Sequence, residues 1–304
     1  MLKAVILGSA AGGGVPQWNC NCAVCAAAWA DPSLRNTQVS AAISADDGQH
    51  WFLINASPDI RQQILDTPAL HPAKGHLRHS PIAGVILTNG EIDAIAGLLS
   101  LREGTPFALH AHPRVLGTLA ENSVFEVLNP KLVPRIPLHL DQPFEPLLPD
   151  GTRSGLWIEA FAVPGKPAWY MEGTMADPGD TVGLKLWSAQ GGAPVYFIAA
   201  CAEMTPDLAA RLSGAALVLF DGTLWQDDEM IRAGLGAKTG QRMGHLSMSG
   251  PDGTIAALAD VPITRRVFVH INNTNPALLP HSAERQAVRK SGWHIPTAGE
   301  EFVL

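Results

Sequence analysis

The sequence predicts an α/β protein whose sheets are covered on both faces. Two observations carry this expectation. Runs such as Gly84-Val-Ile-Leu87 and Ala216-Leu-Val-Leu-Phe220 are apolar without alternation, as expected of strands with no water-facing side. Helical stretches fall between these runs, and several runs end abruptly in polar loops. Strand ends are where α/β sheets build their sites.

The first strand is expected at Ala4–Leu7, a β-branched run, followed by Ala41–Ile43 and Trp51–Ile54. A helix over Pro58–Leu65 leads to strand Gly84–Leu87, helix Ile92–Leu101, strand Phe107–His110 and helix Pro113–Glu121. Asn122–Pro149 is rich in proline and leucine. Its apolar content argues for an ordered excursion across the fold rather than a free linker. Strands Leu156–Phe161 and Thr181–Trp187 flank a loop, Tyr170–Asp180, that carries Gly173, Pro178 and Gly179 and is a candidate lid. Strand Pro194–Ile198, helix Pro206–Arg211, strand Ala216–Phe220, helix Asp252–Ala259, strand Arg266–His270 and helix Ala283–Ser291 complete the order. No internal repeat of fixed period is visible.

The chain has 304 residues, 46% apolar and 16% charged, which is ample for one large domain with a buried core. A net charge of −7 provides no basic patch, so nucleic acid and acidic membranes are not expected partners. The N-terminal Met1-Leu-Lys-Ala-Val-Ile-Leu-Gly reads as a strand rather than a signal segment. No apolar window approaches the ~18 residues of a membrane span. A soluble, cytoplasmic protein is expected, with a homo-oligomer left open.

Three of the four cysteines lie in Cys20-Asn-Cys22-Ala-Val-Cys25, and Cys20 and Cys22 are too close to bridge comfortably. Thiolates at this spacing can face one centre, which points to a structural Zn2+; a turn of small buried residues and redox chemistry are the competing readings. The fourth ligand is not local: Cys201, a distant histidine or an amide oxygen such as that of Asn273 would serve. Cys201 itself follows apolar residues and is expected to be an inert core thiol.

The loop after Gly84–Leu87 reads Thr88-Asn-Gly-Glu91-Ile-Asp93-Ala94. Carboxylates at alternate positions can converge on one cation, although spacing alone favours a polar turn in which Asp93 caps the next helix. His245 lies in Arg242-Met-Gly-His-Leu-Ser, where a glycine before it and a Ser-rich stretch opening a helix suggest an imidazole held near a cavity. Asp221 ends one apolar strand, and His270 ends another before Ile271-Asn272-Asn273-Thr274-Asn275. The asparagines suggest turns first and ligand recognition second. Each signal is weak alone; together they mark one rim of a sheet.

The order of these motifs resembles that of the metallo-β-lactamase superfamily, in its ribonuclease Z-like branch. The metal loop His-x-His-x-Asp-His of that branch falls on Asn89, Glu91, Asp93 and Ala94. Its further metal positions fall near Phe161 and Cys201, its proton-donating pair on Asp221 and His245, and its last histidine on His270. Gly14-Val-Pro-Gln-Trp-Asn-Cys20-Asn-Cys22, Leu101-Arg-Glu-Gly104, Phe220-Asp-Gly-Thr-Leu-Trp225 and His270-Ile-Asn-Asn-Thr-Asn-Pro276 further resemble the pyrroloquinoline quinone biosynthesis protein B (PqqB) family over nearly the whole chain. The resemblance implies an αββα sandwich, two mixed sheets with helices outside, in a single domain 1–304. It implies a structural zinc on Cys20, Cys22 and Cys25, with Asn273 at the place of a fourth ligand.

With the histidines of the metal loop missing, a two-metal hydrolase is not expected. The resemblance implies instead an Fe2+- and O2-dependent hydroxylase that turns the tyrosine ring of a Glu–Tyr cross-linked, peptide-derived precursor into a catechol. Asp93 and His270, with Glu91, would hold the iron; His245 would serve as acid or base, with Asp221 fixing its tautomer. Asn272 and Asn275 are candidate substrate contacts, with turn structure the competing role. A carrier that assists transport of the quinone or its precursor is the alternative.

Overall fold

Strands buried on both faces must satisfy their backbone polar groups within the sheet, and the apolar runs do so in two sheets. The computed structural model describes residues 1–304. β1 (Lys3–Gly8), β2 (Ser40–Ser44) and β3 (Trp51–Ile54) form an antiparallel meander. β4 (Ile82–Ile86), β5 (Ala108–Ala111) and β6 (Arg135–Pro137) join it in parallel. The second half repeats this plan, with β7 (Leu156–Ala162), β8 (Val182–Ser188) and β9 (Val195–Ile198) antiparallel. β10 (Leu217–Asp221), β11 (Arg266–Val269) and β12 (Trp293–His294) follow in parallel. β13 (Glu301–Val303) returns to pair with β1, giving a seven-stranded and a six-stranded sheet. The duplication is one of topology and leaves no sequence period.

Side-chain alternation divides each apolar run between two cores. Ile54 and Ile86 of the first sheet meet Leu217 and Leu219 of the second in the central layer. Their chain neighbours Leu53 and Val85 face outward, against Ile60 of α2 (Ile60–Asp66) and Val115 and Leu119 of α4 (Pro113–Glu121). Val218 and Phe220 face the other way, against Leu208 and Leu212 of α5 (Pro206–Leu212) and Val288 of α9 (Ala283–Lys290). Each such fully buried side chain contributes about 1.5–3 kcal/mol relative to exposure. The layers are those of an αββα sandwich, the fold that the family resemblance implies.

Several boundaries differ from expectation for local reasons. The helix expected over Ile92–Leu101 is one α-turn, α3 (Ile92–Ile95), that tightens into a 3₁₀ helix over Ala96–Leu101. Gly97 sets the change, because its N–H donates to Ala56 O and a Cβ there would stand 2.0 Å from Ser57 O. The proline-rich excursion is ordered: it supplies β6 and then bridges to the second sheet through Leu140 with Ala160 and Phe144 with Ile158. β6, β12 and β13 were not foreseen, being only two or three residues long. Nor was α1 (Ala23–Ala30), whose alanine-rich sequence has no marked apolar face. The helix expected over Asp252–Ala259 is the shorter α8 (Thr254–Ala257), and α6 (Glu229–Arg232) and α7 (Gly240–Met243) before it were not foreseen. No helix is long and apolar enough to cross a membrane.

Candidate active site and cysteine loop

β10 ends in Asp221, which has no exposed surface and gathers the residues around it. Its Oδ2 accepts hydrogen bonds from Cys201 N–H (2.9 Å) and His245 Nδ1–H (2.8 Å). Its Oδ1 accepts from Thr223 N–H (3.0 Å) and the Thr223 hydroxyl (2.7 Å). With Nδ1 of His245 engaged, Nε2 is left for the cavity, which His245 lines. α7 delivers His245 through Gly244, whose φ of 92° turns the chain and suits glycine.

The residue after β11 is His270, with φ 56°, a left-handed conformation uncommon for a side chain of this size. That turn aims its ring across the rim, so that Nε2 stands 3.0 Å from Asp93 Oδ2 while Nδ1 lies 2.8 Å from the Thr223 hydroxyl. The rings of His245 and His270 stack at 4.9 Å with 20° between planes. Asp93 lies in the first turn of α3, and Gly12 of the first-strand loop passes close enough that a Cβ there would sit 3.6 Å from Asp93 Oδ2. One chain of contacts thus runs Asp93, His270, Thr223, Asp221, His245. Thr223 was not singled out from the sequence; its only signal is a small hydroxyl two residues beyond the acid that ends β10.

Protonation follows from these contacts. Burial alone would push the Asp93 carboxyl up, but His270 overrides it and holds the carboxyl below its usual range. Burial alone would push the imidazole of His270 down, and Asp93 overrides that, holding it above the usual histidine value. A carboxylate oxygen and an imidazole nitrogen at 3.0 Å need a cation between their lone pairs, and in the metal-free protein it is a proton. The same two atoms, 3.0 Å apart, would serve as neighbouring ligands to one metal ion. A carboxylate with an imidazole and open positions beside them is a donor set compatible with non-haem Fe(II).

Glu91 is not brought into this cluster. Its Oε1 accepts from Trp169 N–H (3.0 Å) and pairs with Lys166 Nζ (3.5 Å), which ties it to the loop before β8. Tyr170 of the same loop donates to Gly90 O. Arg114 of α4 holds the far end of that loop through Asp180 (3.0 Å), the Thr174 hydroxyl (2.9 Å) and Met175 O (3.1 Å). The segment read as a lid is therefore pinned over a cavity of about 630 Å3 lined by Asp93, His245, His270, Glu91, Lys166 and Trp169.

Two proposed substrate contacts are engaged elsewhere. Asn275 is fully buried; its Nδ2 donates to Gly222 O (3.1 Å) and its Oδ1 accepts from Ala277 N–H (3.0 Å), so it is a turn residue. Asn272 Nδ2 donates to the Thr274 hydroxyl (2.6 Å), and neither asparagine lines the cavity. The amides stabilise the turn that carries the chain away from His270, the competing role that asparagine-rich sequence favours. Cys201 lies in the outer core, its thiol donates to Glu203 O (3.1 Å), and burial pushes its pKa up to about 12.

The cysteine loop forms a separate centre. Cys22 caps α1, which sets Cys25 in its first turn, and the sulfurs of Cys20, Cys22 and Cys25 lie within 4.8 Å of one another. Asn273 closes the fourth side: its amide nitrogen is 3.2 Å from Cys25 Sγ, and its backbone oxygen is 3.3 Å from Cys22 Sγ. Turning that amide over would present Oδ1 to the sulfurs. Burial pushes the Cys22 thiol up to about 11. Burial also raises Cys20, but hydrogen bonds, led by that from Cys22 N–H, bring it below the usual value. Three converging sulfurs and one oxygen fit the tetrahedral preference of zinc.

Residues 50–271 match the family described as the β-lactamase superfamily domain, and the chain belongs to that superfamily. Within it, the chain belongs to the family of coenzyme PQQ synthesis protein B. It is 62% identical to the protein of that name from Rhodopseudomonas palustris strain BisB5, over the full length of both. It is 60% identical to that from Bradyrhizobium diazoefficiens, again over the full length of both. The crystal structure of Zn(2+)-bound PqqB from Methylobacterium extorquens superposes with a TM-score of 0.93 at 50% identity, covering 99% of this chain and all of that one.

Proposed function

We propose that this chain acts in the synthesis of the coenzyme PQQ as an iron- and O2-dependent hydroxylase. Its substrate is the tyrosine ring of a precursor derived from a Glu–Tyr cross-linked peptide, and its product a catechol. The observation that carries this reading is the Asp93–His270 pair with the His245 ring stacked on it at the floor of the cavity. Asp93 and His270 would hold Fe2+, and the iron, when bound, would supply the electron transfer that O2 chemistry requires. Overall, each hydroxylation consumes O2, two electrons from an external reductant and two protons, inserts one oxygen into the ring and releases the other as water.

The chain's own contribution is proton handling and enclosure. Asp221 Oδ2 holds the proton on His245 Nδ1, so that Nε2 is the basic nitrogen and accepts the phenol proton of the substrate. Thr223 keeps the His270 ring in place from behind. Glu91 and Arg114 anchor the loop that carries Trp169 over the cavity and limits the access of water. We assign Glu91 to that anchoring rather than to the metal. The cysteine loop is assigned a structural zinc on Cys20, Cys22, Cys25 and Asn273, in keeping with the zinc named for the Methylobacterium extorquens relative.

The test is catechol formation by iron-loaded protein under air and under nitrogen, with Asp93→Ala and His270→Ala beside the parent. Oxygen-dependent product from the parent alone supports the reading. Full activity in both variants removes the site assignment. Tight quinone binding without oxygen consumption would favour the carrier role.

A further inference from the structure

Away from the catalytic rim, a cleft of about 480 Å3 opens between β5, β6 and the proline-rich excursion. Its floor is His110 of β5, which points to the face opposite Leu109 and is 1% exposed. Neither ring nitrogen of His110 has a hydrogen-bond partner in the protein. Buried polar groups nearly always have one; the aromatic neighbour of this ring is Phe144, whose ring centroid is 5.3 Å away. Burial pushes the imidazole down to about 4, so the ring is neutral and offers one N–H donor and one bare nitrogen.

The walls are apolar. Phe107 is buried, and Ile136 and Leu147 stay 38% and 53% exposed at the mouth, on a segment that prolines hold rigid. Charge at the mouth is one-sided. The Glu145 carboxylate is engaged by Arg153 (3.1 Å) and Gly155 N–H (2.9 Å), whereas Lys131 forms no ion pair. The volume lies within the range of small-molecule sites, and a few placed polar groups in an apolar cleft are what such sites share.

We propose that this cleft is a second ligand site, taking a small hydroxylated aryl carboxylate with its hydroxyl on His110 and its carboxylate at Lys131. A hydroxyl donates and accepts, and so matches a neutral imidazole; a charged group at that depth would find no counter-charge. A planar ring suits the Phe144 side of the cleft, and an anion at the mouth completes the pairing of Lys131.

The probes are 3-(4-hydroxyphenyl)propanoate and its deoxy analogue, 3-phenylpropanoate, titrated calorimetrically into the full chain. The hydroxylated acid is expected to bind about tenfold more tightly, because the analogue leaves the imidazole unpaired. His110→Phe is expected to abolish that preference, Lys131→Ala to weaken both acids alike, and Asp93→Ala to leave the preference in place. Should His110→Phe not fold, the 15N resonances of the His110 ring in the native protein give the same answer by shifting with the hydroxylated probe. Equal affinity for the two acids overturns the proposal, as does a preference that survives in His110→Phe. Unmoved His110 resonances, or a preference lost in Asp93→Ala, would do the same.

Discussion

Asp221→Asn tests whether one buried carboxylate organises the catalytic rim. The carboxylate accepts from two backbone N–H groups, one hydroxyl and one imidazole. An amide has a single acceptor oxygen, so either orientation turns its NH2 toward a backbone donor, that of Cys201 or that of Thr223. The threonine hydroxyl can rotate and the imidazole can change tautomer, but a backbone N–H can do neither. One buried donor is therefore left unpaired, at a cost of about 1–3 kcal/mol, which lowers the melting temperature by roughly 1.5–5 °C in a chain of this size. When the NH2 faces His245, the proton moves to Nε2 and the cavity loses its base, which lowers the rate by about 10²- to 10⁴-fold. The assay pairs a thermal melt with catechol formation by iron-loaded protein. Iron content stays near that of the parent, because Asp93 and His270 are untouched. An unchanged melting temperature together with a rate within twofold of the parent would refute the reasoning.

Cys22→Ser removes a thiolate from the cysteine loop; bound zinc, measured by elemental analysis, is expected to fall away together with several degrees of thermal stability, and undiminished zinc would reject the site. Gly97→Ala places a carbon 2.0 Å from Ser57 O, so the backbone must shift at a cost of about 1–3 kcal/mol, read as a lower denaturant midpoint. The Asp93–His270 pair gives a pH dependence of defined sign. Asp93 is held low and contributes stability that is lost as pH falls through its depressed pKa; His270 is held high and contributes stability that is lost as pH rises through its raised pKa. Metal must displace the shared proton, so Fe2+ affinity under anaerobic conditions is expected to rise as pH rises through the raised pKa of His270. A flat profile would show that the proton and the metal do not compete.

The layers of this fold were legible because doubly buried strands leave a strong mark. Leu53 and Ile54, or Leu219 and Phe220, are adjacent apolar residues that serve opposite cores, and no water-facing strand would carry both. Asp221, His245 and His270 were legible as polar residues at the ends of such runs or behind a glycine. Thr223 was not, because a hydroxyl's role depends on which three groups converge on it, and that is a property of the turn. Glu91 misled for a related reason. Alternate positions put it and Asp93 near one another, but the loop opposite supplied a backbone N–H and a lysine, and a carboxylate goes to the strongest available donors. Asn272 and Asn275 carried the turn signal correctly, and the turn is their use.

The positions that the resemblance sets against its superfamily's metal ligands hold groups that have local work. Asn89 Oδ1 accepts from Glu91 N–H and so shapes the loop. Ala94 is 2% exposed and packs in the outer core of the first sheet, where an imidazole would have to displace neighbours. Phe161 fills the outer core of the second sheet, and the Cys201 thiol faces Glu203 O while its N–H anchors Asp221. A histidine at Ala94 or Phe161 would cost core packing before it gained a ligand, whereas Asn89 lines the cavity. What remains is the pair that needs a cation to coexist: Asp93 and His270 arrive from different sheets, and nothing in their own strands requires them to meet. A fold that retains such a pair, and braces it from behind through Thr223 and Asp221, is built around whatever occupies the space between them.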